Sequence, residues 1–218
     1  MTIDAEAEKK AAAHAAAELV ENGMTVGLGT GSTVAYLLAA LASRRLAVRC
    51  VSTSPRTEQA ARSLGLHTEP FTGIDSLDIA IDGADEVTPA GWLVKGGGAA
   101  HTREKIVAAA AGRFVVIVDS AKTVPALHGP VPLELLDFGL SATIRRLGPV
   151  TLRDVPRSPD GGVIADYTGE VADPAALADF LSTTAGVIEH GLFPPQLVWA
   201  VVVGRGQSAE QISIAAAT

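Results

Sequence analysis

Cysteine is almost absent from this chain, since Cys50 is the only one among 218 residues. One cysteine cannot form a disulfide within the chain, and the lack of a disulfide framework is typical of a reducing compartment. Cys50 stands in the apolar run 48–51, so we interpret it as a core residue rather than a reactive thiol. The sequence therefore predicts a cytoplasmic protein.

Basic residues are also few, because 17 Lys and Arg face 24 Asp and Glu and leave a net charge of −7. This balance argues against nucleic acid or an anionic membrane as the main partner. The N-terminus lacks a signal-peptide pattern, and no apolar run free of Gly, Pro and charge is long enough to span a bilayer. We expect a soluble protein that binds neither nucleic acid nor membrane.

Three further patterns are missing. The sequence has no Cys or His cluster of the kind that binds a transition metal, and no Ser–His–Asp order of the kind that performs acyl transfer. It also has no repeating period that would indicate tandem repeats. Apolar residues make up 48% of the chain, which is enough for a sizeable core. The length suits one domain, or one larger domain with a small appendage.

Strands and helices alternate in the first half of the chain, which predicts a mostly parallel sheet covered by helices. The predicted strands are 24–28, 46–52, 66–71, 77–81 and 114–118, and the predicted helices are 4–22, 34–42, 55–64 and 103–111. After residue 130 the predicted order becomes β-α-β-β-α-β over 131–190, a ferredoxin-like unit. One more apolar strand, at 198–203, is a candidate to rejoin the first sheet.

Two polar clusters follow predicted strands in the first half. The segment 29–33, Gly-Thr-Gly-Ser-Thr, joins a strand to a helix, where backbone N–H groups and hydroxyls suit a phosphate. It is neither a P-loop nor a dinucleotide fingerprint, and an ordinary βα turn is the alternative. The segment 82–86, Asp-Gly-Ala-Asp-Glu, offers carboxylates for sugar hydroxyls, proton transfer or Mg²⁺. A solvated acidic turn is the alternative there.

Two more clusters complete the set. Lys95 precedes three glycines, Gly96 to Gly98, and then a helix that we predict to be capped by Thr102. Glu104 lies in its first turn, either to complement the helix dipole or as a general base. Lys122 follows the strand 114–118 and is either an exposed lysine or a second cation for an anionic substrate.

All four clusters fall at one edge of a parallel sheet, so they can form one site. An anion loop, two lysines and several carboxylates fit proton transfer beside the carbonyl of a phosphorylated sugar. A base would remove the proton next to the carbonyl, and cations or amide donors would stabilise the enediolate oxyanion.

These motifs, in this order and spacing, resemble ribose-5-phosphate isomerase of the A type, as does the later segment Gly191-Leu192-Phe193. The resemblance runs nearly end to end. It implies interconversion of D-ribose 5-phosphate and D-ribulose 5-phosphate in the non-oxidative pentose phosphate pathway, through an enediol, with no cofactor and no required metal. It also implies a Rossmann-like α/β domain with helices on both faces of a mostly parallel sheet, here 1–128 and 204–218, and a small inserted α+β domain, here 129–203. Homodimers or homotetramers are usual in that family.

The resemblance also implies roles for individual residues. Glu104 is expected to move the proton between C1 and C2. Asp82 and Asp85 are expected to handle hydroxyl protons and ring opening, with Lys95 and Lys122 near the phosphate or the oxyanion. The expected substrate-binding residues are Thr30, Gly31, Ser32, Thr33, Asp82, Gly83, Ala84, Asp85, Lys95, Gly96, Gly97, Gly98 and Lys122.

Three points stay open. His101 departs from the family pattern, and we interpret it as a helix-start side chain pointing away rather than a proton relay. Within enzymes, a coenzyme A transferase of related fold would use a Glu as nucleophile. A non-catalytic sugar-phosphate sensor is the third possibility, although the single N-terminal helix is too short for a helix-turn-helix module.

Overall fold

A computed structural model describes residues 4–214 of the chain. Within that range the chain forms six α-helices and thirteen β-strands, numbered in chain order. They are α1 (Ala5–Ala17), β1 (Thr25–Leu28), α2 (Ser32–Arg44), β2 (Arg49–Ser52), α3 (Pro55–Ser63), β3 (Ile79–Asp82), β4 (Glu86–Val87), β5 (Leu93–Val94), α4 (His101–Ala109), β6 (Phe114–Asp119), β7 (Val131–Leu135), α5 (Leu140–Leu147), β8 (Val150–Leu152), β9 (Val163–Tyr167), α6 (Pro174–Thr183), β10 (Val187–His190), β11 (Leu192–Phe193), β12 (Ala200–Arg205) and β13 (Ser208–Ser213).

The central sheet has six strands in the order β13-β12-β6-β3-β1-β2, and only the β12–β13 pair is antiparallel. Side chains of β6 alternate between its two faces. Val115 and Ile117 pack with α1 and α2, whereas Val116 and Val118 pack with α4 and with the small sheet β11-β5-β4. The predicted mostly parallel sheet with helices on both faces is confirmed.

The second predicted unit is also present. Strands β7 to β10, with α5 and α6, follow the order β-α-β-β-α-β and form an antiparallel sheet with the strand order β10-β7-β9-β8. This is the ferredoxin-like arrangement. Its core is built around Leu133, Leu135 and Leu181, all fully buried.

The chain returns to the central sheet earlier than the predicted domain boundary. Strand β12 (Ala200–Arg205) pairs in parallel with β6, whereas the prediction kept residues up to 203 in the small domain. The pairing corrects that end of the small domain, because an apolar strand with Val201 and Val203 on one face completes the central core. Otherwise the division into domains stays a prediction.

Three local predictions are wrong. Helix α1 ends at Ala17 rather than at residue 22. The predicted strand 66–71 makes only a single bridge, between Cys50 and Thr68. Helix α4 has Ala100 as its N-cap and no side-chain cap, because the Thr102 hydroxyl donates instead to Glu134 on β7. None of the described helices is long and apolar enough to cross a membrane.

Candidate active site

The four predicted clusters surround one cavity of about 400 Å³ at the carboxyl edge of the central sheet. The edge is set by β1, β3 and β6, which run parallel and therefore end on the same side. The cavity is lined by Ala5, Lys9, Thr30, Gly31, Ser32, Thr33, Val34, Gly83, Ala84, Asp85, Lys95, Gly96, Gly97, Gly98, Glu104, Val118, Asp119 and Lys122. Every residue predicted for the site is among them except Asp82, which lies behind Lys95.

Asp82, Lys95 and Glu104 form a buried triad. The Lys95 ammonium lies 2.9 Å from Asp82 Oδ2 and 3.1 Å from Glu104 Oε2, and it donates to the Gly83 carbonyl at 2.6 Å. Each of the three side chains is at most 4% exposed. Two carboxyl groups thus share one cation, so the triad carries one negative charge when all three groups are ionised.

The backbone fixes Asp82 in this position. Its Oδ1 accepts from the N–H of Thr30 at 3.0 Å and of Gly83 at 2.7 Å. A Cβ at residue 29 would lie 1.9 Å from the Asp82 carboxyl group, so only glycine allows the two loops to meet. Burial raises the pKa of Asp82, while the charge of Lys95 and these hydrogen bonds oppose the increase.

Glu104 lies in the first turn of α4. Its Oε2 is buried and 3.1 Å from the Lys95 ammonium, and within residues 4–214 it has no further polar partner. Burial, followed by the nearby charge of Asp82, raises the pKa of Glu104 to about 8 against the opposing effect of Lys95. Burial alone would lower the pKa of Lys95, but Asp82 and Glu104 outweigh it and raise the pKa, so this lysine stays charged. A carboxyl group that can gain or lose its proton near neutral pH therefore lies beside a cation that stays charged.

The glycine loop, residues 95–98, closes one wall of the cavity. Gly96 has φ of 105°, in the region that favours glycine. The N–H of Gly97 donates to Asp85 Oδ2 at 2.8 Å, and a Cβ on Gly97 would stand at the same distance from Asp85 Oδ1. The loop therefore brings backbone amides and the Asp85 carboxylate into the same wall.

The predicted phosphate loop, residues 29–33, lines another part of the same cavity. Helix α2 begins here, and its first turn has no side-chain cap, which leaves backbone N–H groups beside the Ser32 and Thr33 hydroxyls. The Thr30 hydroxyl donates to Ser54 at 2.8 Å and lies 2.9 Å from that of Thr53, so it also ties the loop to the neighbouring strand end. This geometry favours an anion-binding loop over an ordinary βα turn.

Two lysines lie near this loop. Lys122 was predicted, and within residues 4–214 its ammonium makes no hydrogen bond or ion pair. Lys9 was missed, because on a helix with alternating acidic and basic residues it looks like a solvated charge. Packing of α1 over the sheet edge brings it to the cavity, where it pairs with Glu6 at 2.7 Å. No sequence motif marks that placement.

His101 does not line the active-site cavity. Its side chain is fully buried, and neither ring nitrogen makes a hydrogen bond within the described part of the chain. Burial, reinforced by the charge of Lys105, lowers the pKa of His101 to about 3, so the ring is neutral. Pro132 of β7 and His101 both flank Gly96, so the ring lies between the glycine loop and β7. The interpretation of His101 as a side chain that points away from the site rather than a proton relay stays a prediction.

The site has no evident metal-ligand cluster. Among residues 4–214, no group of three or more His, Cys, Asp and Glu side chains is placed to hold a metal ion. The acidic segment 82–86 is divided instead, since Asp82 faces Lys95 while Glu86 accepts from the N–H of His128 at 2.8 Å.

Comparison with known proteins gives two family matches. The family model described as ribose 5-phosphate isomerase A (phosphoriboisomerase A) matches residues 49–208. A second model, described as the DeoR C terminal sensor domain, matches residues 4–63, which hold the phosphate loop but no member of the buried triad.

Individual relatives agree with the first match. The ribose-5-phosphate isomerase A of Caulobacter sp. (strain K31) is 47% identical, with 88% of this chain and 91% of the relative covered. The crystal structure of ribose 5 phosphate isomerase A from Neisseria gonorrhoeae has a TM-score of 0.92 at 32% identity, covering 98% of this chain and 100% of that one. A D-ribose-5-phosphate isomerase in complex with phospho-erythronic acid has a TM-score of 0.90 at 34% identity and the same coverage.

Proposed function

Since the chain belongs to the ribose 5-phosphate isomerase A family, we propose that the buried triad and the two loops beside it perform the family's reaction. That reaction interconverts D-ribose 5-phosphate and D-ribulose 5-phosphate. Family membership decides between the readings that the sequence left open, and the sensor and coenzyme A transferase alternatives give way to an isomerase.

The observation that carries the assignment of the base is the buried Oε2 of Glu104, whose one polar neighbour among residues 4–214 is the Lys95 ammonium at 3.1 Å. In its ionised form Glu104 removes the proton from C2 of the open-chain aldose. The C–H electron pair forms the C1–C2 double bond, and the carbonyl electron pair moves to O1, which becomes an oxyanion beside Lys95. O1 then takes up a proton while the O2 hydroxyl gives one up, the Glu104 carboxyl group returns its proton to C1, and the ketone forms at C2.

The aspartates differ in their positions, and we assign them different tasks. Asp85 lines the cavity, so its carboxylate can exchange protons with substrate hydroxyls during ring opening and between O1 and O2. Asp82 reaches the cavity only through Lys95, so it holds the ammonium in place and balances its charge.

The phosphate end of the substrate fits the phosphate loop. The uncapped start of α2 supplies backbone donors, and Ser32 and Thr33 supply hydroxyls. Lys122 and Lys9 line the same cavity and supply positive charge. With Lys122 assigned to the phosphate, Lys95 is the lysine that stabilises the oxyanion. The sequence alone does not distinguish these two roles.

The decisive experiment is proton NMR of D-ribose 5-phosphate in D₂O with purified protein. The wild type should form ribulose 5-phosphate with solvent deuterium at C1, because the proton on Glu104 can exchange before it is returned. Glu104→Gln should bind substrate but form no product. Glu134→Gln is the matched control, since Glu134 is equally buried but lies outside the cavity. Turnover without deuterium uptake would contradict a protein base that exchanges with solvent.

We also infer self-association in a homodimer or homotetramer and a cytoplasmic location. Exposed apolar side chains support the first inference, with Phe138 93% exposed and Leu136 50% exposed near the end of β7. The single buried Cys50 supports the second. Light scattering of the wild type and of Phe138→Ser tests the association, and a monomeric wild type would overturn it.

A further inference from the structure

The glycine loop separates two cavities. The active-site cavity is on one side, and a second cavity of about 530 Å³ is on the other. Gly97 and Gly98 line both cavities, so one face of their peptide groups borders the active-site cavity and the other face borders the second cavity. The second cavity contains Arg153, which follows β8 of the small domain.

Arg153 binds the glycine loop from the side of the second cavity. Its Nη1 donates to the Gly96 carbonyl at 2.9 Å and to the Gly97 carbonyl at 3.2 Å. The rest of the guanidinium makes a bidentate pair with Asp166 on β9, at 2.8 and 2.6 Å. Both charged side chains are only 18% exposed. A planar group anchored at two donors is well suited to hold carbonyl groups in a fixed direction.

The direction of the carbonyls decides the direction of the amides. In a trans peptide the C=O and N–H groups point to opposite sides. The Gly96–Gly97 peptide obeys this, since its carbonyl meets Arg153 while its N–H meets Asp85 on the active-site side. The next peptide has its carbonyl on Arg153 as well, so the Gly98 N–H is directed into the active-site cavity. Within residues 4–214 that N–H has no acceptor.

We propose that Arg153 is a positioning residue of the isomerase site, which turns the Gly98 N–H toward the enediolate oxygen by holding the Gly96 and Gly97 carbonyls. The inference rests on the proposed active site. It gives the small domain a part in the reaction, since the donor in the central domain is oriented by a guanidinium from the inserted one. Lys95 supplies charge to the oxyanion, and the Gly98 N–H supplies a directed hydrogen bond.

The test compares Arg153→Ala with Arg157→Ala. Arg157 lines the same cavity, but it bonds to the Gly161 carbonyl and Asp137 and does not hold the loop. We expect Arg153→Ala to lose about 100-fold in kcat, the usual cost of losing an oxyanion donor or misplacing it by about 1 Å. The Arg157→Ala variant should keep its kcat.

Three readouts separate positioning from mere tethering. Binding of inorganic phosphate, which reports the phosphate loop, should be unchanged in Arg153→Ala. Binding of phospho-erythronic acid, whose carboxylate places oxygens like those of an enediolate, should weaken in parallel with kcat/KM. Millimolar guanidinium should restore part of the lost kcat by occupying the space between Asp166 and the loop.

A folded Arg153→Ala variant with nearly normal kcat would overturn the proposal. So would a loss that guanidinium does not rescue and that weakens phosphate binding equally. If Arg153→Ala does not fold, Asp166→Asn replaces it as the test, since this variant keeps the guanidinium but removes the carboxylate that anchors it. A lower kcat with normal phosphate binding would support the proposal, and a normal kcat would overturn it. Glu104→Gln, measured in parallel, tests the proposed active site itself. If Glu104→Gln is active, the assignment of the base is wrong, and the failure then concerns the proposed function and not only Arg153.

Discussion

Replacing Glu104 with Gln should stabilise the protein at alkaline pH while it abolishes activity. The carboxyl group is 4% exposed, and burial with the nearby Asp82 charge raises its pKa from the usual 4.5 to about 8. The folded state therefore holds this proton in a pH range where the unfolded chain has released it. Gln keeps the size and polarity of the protonated carboxyl group and never ionises.

The magnitude follows from proton linkage. Glu104 costs the wild type no stability below pH 4.5. As pH rises from 4.5 to about 8, unfolding releases a proton and the free energy of unfolding falls. The slope is about 1.4 kcal/mol per pH unit, which gives a ceiling of about 5 kcal/mol over the interval. Above pH 8 the difference between wild type and Glu104→Gln should stay constant.

Urea unfolding of both proteins at several pH values between 5 and 9 measures this difference. Titratable groups remote from the buried triad are common to both proteins and cancel in the comparison. Glu134→Gln serves as the control for replacing a buried carboxyl group that does not line the cavity. A difference between wild type and Glu104→Gln that stays flat across the range would refute the argument that burial of an ionised Glu104 is costly.

Three other outcomes are expected. The kcat/KM should rise with pH as Glu104 ionises, with the midpoint of the rise near 8 and a plateau above it, and Asp82→Asn should move that rise to lower pH because it removes a like charge, so an unmoved profile would contradict the coupling. Chelator should leave activity intact, since the Lys95 ammonium already occupies the cation position at Asp82, and a loss restored by Mg²⁺ would mean that segment 82–86 binds metal. The Cys50 thiol, whose pKa burial raises to about 12, should react with a thiol reagent only after unfolding, which a native-state titration would show.

Local signals were enough to predict much of the fold. The strand 114–118, rich in β-branched residues, and the helix 55–64 agree with β6 and α3 to within one residue. The phosphate and glycine loops were recognisable because glycines and hydroxyl residues stand between a strand and a helix. Each of these features depends on residues that are neighbours in the sequence, so it can be predicted from the sequence alone.

The wrong and missed features depend on distant contacts. Thr102 has the chemistry of an N-cap, but its hydroxyl donates to Glu134 on β7, which is distant in sequence. His101 is polar and yet fully buried, because β7 and β10 pack near the start of α4. Lys9 and Arg153 belong to no motif, and packing alone brings one to the cavity and the other to the loop.

Two glycines at the border of the buried triad show why this site can be buried at all. A Cβ on Gly29 would lie 1.9 Å from the Asp82 carboxyl group, and one on Gly191 would lie 2.1 Å from the Lys95 carbonyl oxygen. Their bare backbones let the β1 loop and the chain before β11 approach the triad from two sides, and Lys95 N–H donates to the Gly191 carbonyl at 2.9 Å. Water is thereby excluded, which raises the pKa of Glu104 and strengthens its interaction with Lys95. The basicity of the proposed base is thus set by close backbone approach from segments far apart in sequence, and only the folded chain brings those segments together.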